Sequence, residues 1–396
     1  MTENSNTVKV VVIGGGYAGT VAANRLRQRA DIDITLINPR PHLVERIRLH
    51  QYVAGTSEAV VDYGSLLGDG VRLVIDSVDR IDTAARTVAL ASGGELGYDY
   101  LIYAVGSTAT IPASVPGAVE FAYPIGEWEH AQRLRAALDE LPHDAPITVV
   151  GAGPTGIETA AELAEQGRVV TLVCGAQLAP TFLEPARRSV AKWLTKRGVA
   201  VLENAHVGEV WPERVVLTDG TVLPGPVAIW TAGFGVPGLA ADSGLRTDDA
   251  GRLLTDETLT SIDDDRVIAA GDCAAPSGQP LRMSCQAAGP LGAQAADTVL
   301  ARLSGARPAT IDIGFVGTGI SLGRRAATVQ FTRRDDTARN FYLGGRLGAS
   351  IKEAVCKGTV SGISKEARKP GSFPMVKGLG DRPAQPVSAP AKVPNL

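Results

Sequence analysis

The stretch Val8-Lys9-Val10-Val11-Val12-Ile13-Gly14-Gly15-Gly16-Tyr17-Ala18-Gly19 decides the fold. Its first six residues form a largely β-branched run, as expected of a strand buried on both faces of a parallel sheet. Glycines follow, then an Ala, Arg and Leu pattern through about Arg29 that suits a helix. A second apolar run, Asp33 to Ile37, ends at Asn38-Pro39 and completes a β–α–β unit. Within the turn, Gly14, Gly16 and Gly19 stand as G-x-G-x-x-G. Gly14 permits a sharp turn, Gly16 lets a pyrophosphate approach the backbone, and Gly19 lets the helix pack closely on the strand. In this strand–turn–helix setting the motif predicts a dinucleotide-binding unit.

The unit recurs. Ile147 to Val150 reads as a strand, Gly151-Ala152-Gly153-Pro154-Thr155-Gly156 as a second glycine turn, Ile157 to Gln166 as a helix, and Val169 to Val173 as the next strand. Two such units call for two domains. Between them, Arg72 to Ile75 and Thr87 to Leu90 read as strands of a meander, and Leu101 to Val105 as a buried parallel strand. The Pro- and Gly-rich stretches Pro112 to Pro124 and Thr231 to Gly238 read as crossings between the domains. Val267 to Ala270 is a further strand, ending in Gly271-Asp272 and followed by an Ala-rich helix, Gln286 to Leu303. From Ile311 to Thr359 the pattern suits a small antiparallel sheet plus a helix. The last stretch, rich in Pro, Lys and Ala, reads as a loosely draped tail.

The expected class is therefore α/β. It has two Rossmann-like, three-layer ββα dinucleotide-binding domains and a small α+β C-terminal domain. The first domain would be discontinuous, 1–115 with 240–305, and the second would span 116–239. The small domain would cover 306–365 and the tail 366–396.

Composition narrows the function. Charged residues are 20% of the chain and the net charge is −3, which argues against a nucleic-acid partner. No run of about 18 apolar residues is present, so no membrane span is expected and any membrane contact would be weak and peripheral. The polar start carries no signal-peptide pattern, which points to a cytoplasmic protein. Cys174, Cys273, Cys285 and Cys356 form no C-x-x-C pair, so neither a metal site nor a disulfide framework is expected.

Several polar residues fall where such units do chemistry. Asn38 stands where an acid usually holds an adenosine ribose; its amide can bond the hydroxyls without charge. Arg40 and Arg46 suit either a pyrophosphate or the protein surface. Glu158 and Glu162, four apart, share one helix face. Glu158 fits the junction between two cofactors, and ordinary solvated charge is the plainer reading of both. After the second unit's next strand, Val173-Cys174-Gly175-Ala176 offers neither an acid for a ribose nor an arginine for a 2′-phosphate. The choice between NADH and NADPH stays open. Asp272, at a strand end, is placed to accept hydrogen bonds from a polyol chain.

Together these motifs resemble the pyridine nucleotide–disulfide oxidoreductase superfamily, over about residues 8 to 360. The resemblance implies FAD on the first turn, at Gly14, Gly16, Tyr17, Ala18 and Gly19, with Asn38, Arg40, Arg46 and Val78 nearby. It implies a linking strand, Tyr98 to Ser107, that contacts FAD through Ala104 and Gly106. It assigns NAD(P)H to Gly151, Gly153, Pro154, Thr155, Gly156 and Gly233, and further FAD contacts to Gly271, Asp272, Gln286 and Ala287. The chain is most similar to type II NADH:quinone oxidoreductases, through Gly153 to Glu158, Ile229 to Gly233 and Ser321 to Arg324. That likeness implies hydride transfer from NAD(P)H to flavin N5, then electron transfer to a quinone or quinone-like small-molecule acceptor. Glu158 and Gln286 are its candidate catalytic residues, and a homodimer through the C-terminal domain is a family-level expectation. Three features depart from the relatives. The redox C-x-x-x-x-C is absent, the quinone-site A-Q-x-A-x-Q reads Cys285-Gln286-Ala287-Ala288-Gly289-Pro290, and the proline-rich tail replaces amphipathic C-terminal helices. Two other readings remain. One is a flavoenzyme of secondary metabolism or detoxification that uses oxygen or an organic substrate. The other is a slow flavin-bearing electron-transfer or regulatory protein.

Overall fold

In the computed structural model of the chain, residues 7–380 are described. The opening run forms the strand Val8–Ile13, central in a five-stranded parallel sheet. The order across that sheet is Val267–Ala269, Tyr100–Tyr103, Val8–Ile13, Ile32–Asn38, Val71–Ile75. The registers pair Val10 with Ile34 on one side and with Tyr100 on the other. The helices Tyr17–Leu26 and Cys285–Leu303 pack against each other, their small residues Ala18, Ala22, Ala293 and Ala296 fully or nearly fully buried. Ile81 and Val88 of the antiparallel meander Val78–Asp82, Thr87–Leu90 and Glu95–Gly97 belong to the same core.

The second glycine turn repeats the plan. Its parallel sheet runs Ala122–Pro124, Val227–Trp230, Pro146–Val150, Val169–Val173, Ala200–Leu202. The helices Trp128–Glu140, Pro154–Glu165 and Glu184–Lys196 share one core with this sheet. A second meander, Val207–Trp211, Arg214–Leu217 and Val222–Pro224, forms a separate core with Val150, Val173 and Trp230. Where the chain crosses between the two sheets, Thr108–Ala109 pairs antiparallel with Phe234–Gly235. A small antiparallel sheet, Gly317–Ser321, Ala327–Thr332 and Ala338–Gly344, leads into the helix Gly345–Arg368.

Two sequence expectations change. Val71–Ile75 is not a meander strand; it pairs in parallel with Ile32–Asn38 as the sheet edge. As an edge strand it has no fully buried residue, with Arg72 and Ile75 exposed, so it lacks the burial on both faces that marks the inner parallel strands. The tail is not loosely draped in its described part. The long helix continues to Arg368, and residues 369–380 fold back as a strap. Glu366, fully buried, accepts the backbone N–H groups of Gly371 and Phe373, and the Gly314 N–H donates to Val376 O. The Phe373 ring lies over Gly289 and Gly362, so close to Gly289 that an added Cβ there would come within 2.4 Å of it. Proline and lysine content hid this strap, because its anchors are backbone groups and one aromatic ring. Residues 381–396 of the expected tail lie outside the described residues.

Candidate active site

Both glycine turns open at the carboxyl ends of their sheets, where parallel α/β folds bind ligands. Gly14 takes φ of +99°, and a Cβ on it would lie 2.3 Å from Ala104 O of the neighbouring strand. A Cβ on Gly19 would lie 1.8 Å from Gly14 O, and one on Gly156 would lie 2.0 Å from Gly151 O. These glycines let helix and strand touch. By contrast a Cβ on Gly16 or on Gly153 would meet no atom within 4 Å. Those two residues cap the helices Tyr17–Leu26 and Pro154–Glu165 without any side-chain cap, leaving helix N-termini turned toward open space.

The space at Gly16 belongs to a cavity of about 650 Å³, within the range of about 300–1,000 Å³ usual for small-molecule sites. Its wall takes Gly14, Gly16, Tyr17 and Ala18 from the first turn, and Asn38, Arg40, Arg46 and Val78 from the strand ends and loops beyond it. Ala104, Gly106, Gly271 and Asp272 come from the central strands, Gln286 from the late helix, and Pro154, Thr155, Glu158 and Gly233 from the second domain. Gly19, Gly151, Gly153, Gly156 and Ala287 lie outside this wall. Ala287, only 2% exposed, supplies the N–H that Ser284 caps.

Several of these side chains already have protein partners. Asn38 Oδ1 accepts the Gly15 N–H at 2.9 Å, while its Nδ2 donates to Arg40 O. Its amide thereby braces the first turn. Tyr63 adds a second brace through its hydroxyl, which donates to Gly15 O at 2.6 Å. Arg40 pairs with Glu129. Arg46 donates to Gly126 O and to Ser107, and the Ser107 hydroxyl donates to Asp272 at 2.8 Å. Gln286 donates to Gly317 O and accepts from the Val316 N–H, stapling the late helix to the small sheet.

The electrostatic centre is Glu158. It is 6% exposed, and its Oε1 accepts the Ser321 N–H at 2.9 Å and lies 3.1 Å from the Lys352 ammonium. His50 Nδ1 lies 3.7 Å from the other oxygen. Burial alone would raise the Glu158 carboxyl, but Lys352, His50 and the Ser321 N–H outweigh it and hold it below the usual carboxylate range. Burial favours neutral Lys352, and the Glu158 carboxylate overrides it, keeping the ammonium charged. Burial pushes the His50 imidazole down to about 4 despite Glu158, so it is neutral near pH 7. Glu162, one turn on, is pushed up to about 7 by burial, with Arg324 and Thr56 opposing.

Sequence reasoning found Glu158 and missed Lys352 and His50. Both come from elements distant in the chain, the helices Gly345–Arg368 and Leu49–Val53, and neither stands in a local motif. The Cys273 thiol is fully buried against Ala270 O and Tyr103 O, and burial pushes it up to about 12, which makes it a poor nucleophile. Cys285 is the half-exposed thiol of the four and lines the cavity.

Three polar atoms in this wall are buried without a partner: Tyr17 Oη, His42 Nε2 and His50 Nε2. An elongated dinucleotide fits the open glycine cradle and the apolar stretch beyond it. Among the described residues, no helix is long and apolar enough to cross a membrane.

Comparisons with known proteins agree with this geometry. Residues 8–292 match the family model described as pyridine nucleotide-disulphide oxidoreductase. An NADH dehydrogenase-like protein of Mycobacterium tuberculosis is 32% identical, over 81% of this chain and 86% of its own length. A type II NADH:quinone oxidoreductase of Staphylococcus epidermidis is 28% identical, over 87% of this chain and 98% of its own. The crystal structure of a sulfide:quinone oxidoreductase from Aquifex aeolicus superposes with a TM-score of 0.77 at 20% identity, covering 92% of this chain and 93% of that one. The chain belongs to the pyridine nucleotide-disulphide oxidoreductase family and is an NAD(P)H-dependent flavoprotein oxidoreductase.

Proposed function

We propose that the chain reduces a quinone or a quinone-like small molecule at the expense of NAD(P)H, with both half-reactions meeting in the one cavity. The observation that carries this reading is that Gly16 and Tyr17 of the first turn share a wall with Pro154, Thr155 and Glu158 of the second. When bound, FAD supplies the redox chemistry, taking a hydride from the nicotinamide and passing two electrons on.

The chain's residues provide position and protons. Gly16 and the helix behind it offer backbone N–H groups to the FAD pyrophosphate, and Gly153 with its helix offers the same to NAD(P)H. Asp272, aligned by Ser107 and Arg46, presents a carboxylate to the ribityl hydroxyls. Two-electron reduction of a quinone consumes one proton beyond the hydride. Glu158 stays ionised and Lys352 charged, and neutral His50, also in the cavity wall, packs its Nδ1 against the Glu158 carboxylate. The Lys352 ammonium thereby stands as a proton donor beside a fixed carboxylate, with neutral His50 packed against the same pair. The type II NADH:quinone oxidoreductase relative supports the choice of acceptor.

The test is anaerobic titration of the purified flavoprotein with NADH and NADPH in parallel, followed by rapid mixing with a water-soluble quinone or with oxygen. The reading predicts bleaching of the flavin by at least one nucleotide and reoxidation by quinone at least about tenfold faster than by air-level oxygen. Absence of bleaching, or oxygen as the faster acceptor, would overturn it.

A further inference from the structure

A second cavity, about 480 Å³, opens on the small domain behind Glu158. Arg324, Arg325 and Arg346 stand in its wall, with Ser321 and Ser350, and Lys352 is shared with the main cavity. Arg324 reaches Glu162 at 3.5 Å and Glu353 at 3.8 Å. Arg325 and Arg346, both exposed, have no carboxylate partner among the described residues. The wall's acid, Glu353, is spent on a two-pronged contact with Arg48, at 3.0 and 3.1 Å, which draws it away from the free arginines.

Two further features favour negative charge here. Arg346, Ala349 and Ser350 come from the first turns of the helix Gly345–Arg368, which holds no acidic residue in its first turn. Its positive end therefore faces this side uncompensated. Residues 306–380 carry 13 Lys and Arg against 5 Asp and Glu, although the whole chain is net −3. Leaving unpaired guanidinium groups to converge on a recess costs repulsion unless an anion joins them. A tetrahedral oxyanion matches their forked donors and the Ser321 hydroxyl, while the Ser350 hydroxyl donates to Arg346 O and would turn to the anion only on binding.

We propose that this recess binds a phosphate group, held by Arg325 and Arg346 with Arg324, Ser321 and Ser350. The group arrives either on a soluble molecule or as the headgroup of an anionic lipid. The site is separate from the nucleotide cavity, and Lys352 in the common wall sets the bound anion one side chain from Glu158.

The experiment uses the full chain loaded with FAD and involves no turnover, so it stands apart from the choice of acceptor. Inorganic phosphate is titrated calorimetrically at constant ionic strength. In parallel, co-sedimentation is measured with phosphatidylcholine vesicles with and without phosphatidylglycerol. The Arg325→Gln/Arg346→Gln double variant is measured beside the parent; both positions are exposed, and an unchanged flavin spectrum verifies its fold. Saturable phosphate binding that weakens at least tenfold in the variant supports a soluble ligand. Binding confined to phosphatidylglycerol vesicles, weakened by the same factor, supports a headgroup. No saturable binding in either arm, or equal binding by parent and variant, overturns the proposal.

Discussion

Glycines that look alike in the motif do different physical work, and substitution separates them. Gly16 has an ordinary φ of −73° and open space where its Cβ would stand. Gly16→Ala should therefore leave the melting temperature of flavin-free protein within about a degree. The methyl would intrude on the pyrophosphate cradle and weaken FAD binding at least tenfold, about 1.4 kcal/mol. Gly19→Ala drives its methyl to 1.8 Å from Gly14 O, so it should destabilise the flavin-free protein by about 1–3 kcal/mol as well. Fluorescence titration with FAD and melting of the apoprotein measure both; equal behaviour of the two variants would refute the distinction. The Glu158–Lys352 pair makes a second prediction at this scale. Lys352→Met leaves a carboxylate in a site where it is 6% exposed, and stability should fall by about 3 kcal/mol. Adding Glu158→Gln removes the stranded charge and should recover more than half of that loss. Urea unfolding of the four proteins in the cycle measures the coupling, and additive losses would show that the pair does not interact.

At the scale of elements, legibility followed locality. The strand Val169–Val173, the helix starting beside Gly153 and the long helix ending at Leu303 are written in runs of neighbouring residues, and sequence reading found them. What escaped it is assembled from afar. Lys352 reaches Glu158 across the small sheet, and the Val71–Ile75 edge is recognisable only from its partner strand. Asn38 and Gln286 were visible as site residues, yet their amides turn to backbone groups that no spacing rule foretells. The strap escaped for the same reason, since Glu366 and Phe373 hold it through a buried carboxylate and a ring seated on glycines. Glu366 also lies 3.5 Å from Arg25, so it ties strap, long helix and first glycine-turn helix together. Glu366→Ala should free the strap. Limited trypsin digestion should then cut after Lys377 at least about tenfold faster than in the parent, with mass spectrometry identifying the site. Unchanged cleavage would mean that Phe373 and the backbone bonds to Gly314 and Asp312 hold the segment without Glu366.

At the scale of the whole molecule, the cavity is a junction of three parts, and its charged centre ties global stability to pH. His50 sits in the core at 3% exposure with its imidazole pushed down to about 4 by burial, whereas in an unfolded chain it titrates near about 6.5. Below that pH the unfolded chain gains a proton that the folded one refuses. The stability this group contributes is complete above about pH 6.5 and is lost as pH falls toward 4. At about 1.4 kcal/mol per pH unit the loss between pH 6.5 and 5 should be on the order of 2 kcal/mol. Glu158, whose carboxyl is held low, adds a loss of the same sign only at more acidic pH, where its unfolded counterpart begins to protonate. Glu162, whose carboxyl burial pushes up to about 7, contributes with the opposite sign from pH 6.5 to 5, because there the folded chain takes up a proton that the unfolded one mostly does not, so the histidine's share is read as the difference between parent and variant. His50→Gln, which keeps a polar side chain of similar size without the titration, should remove that loss, so that between pH 6.5 and 5 the variant's urea midpoint falls less than the parent's or rises. An unaltered slope in the variant would place the acid sensitivity elsewhere.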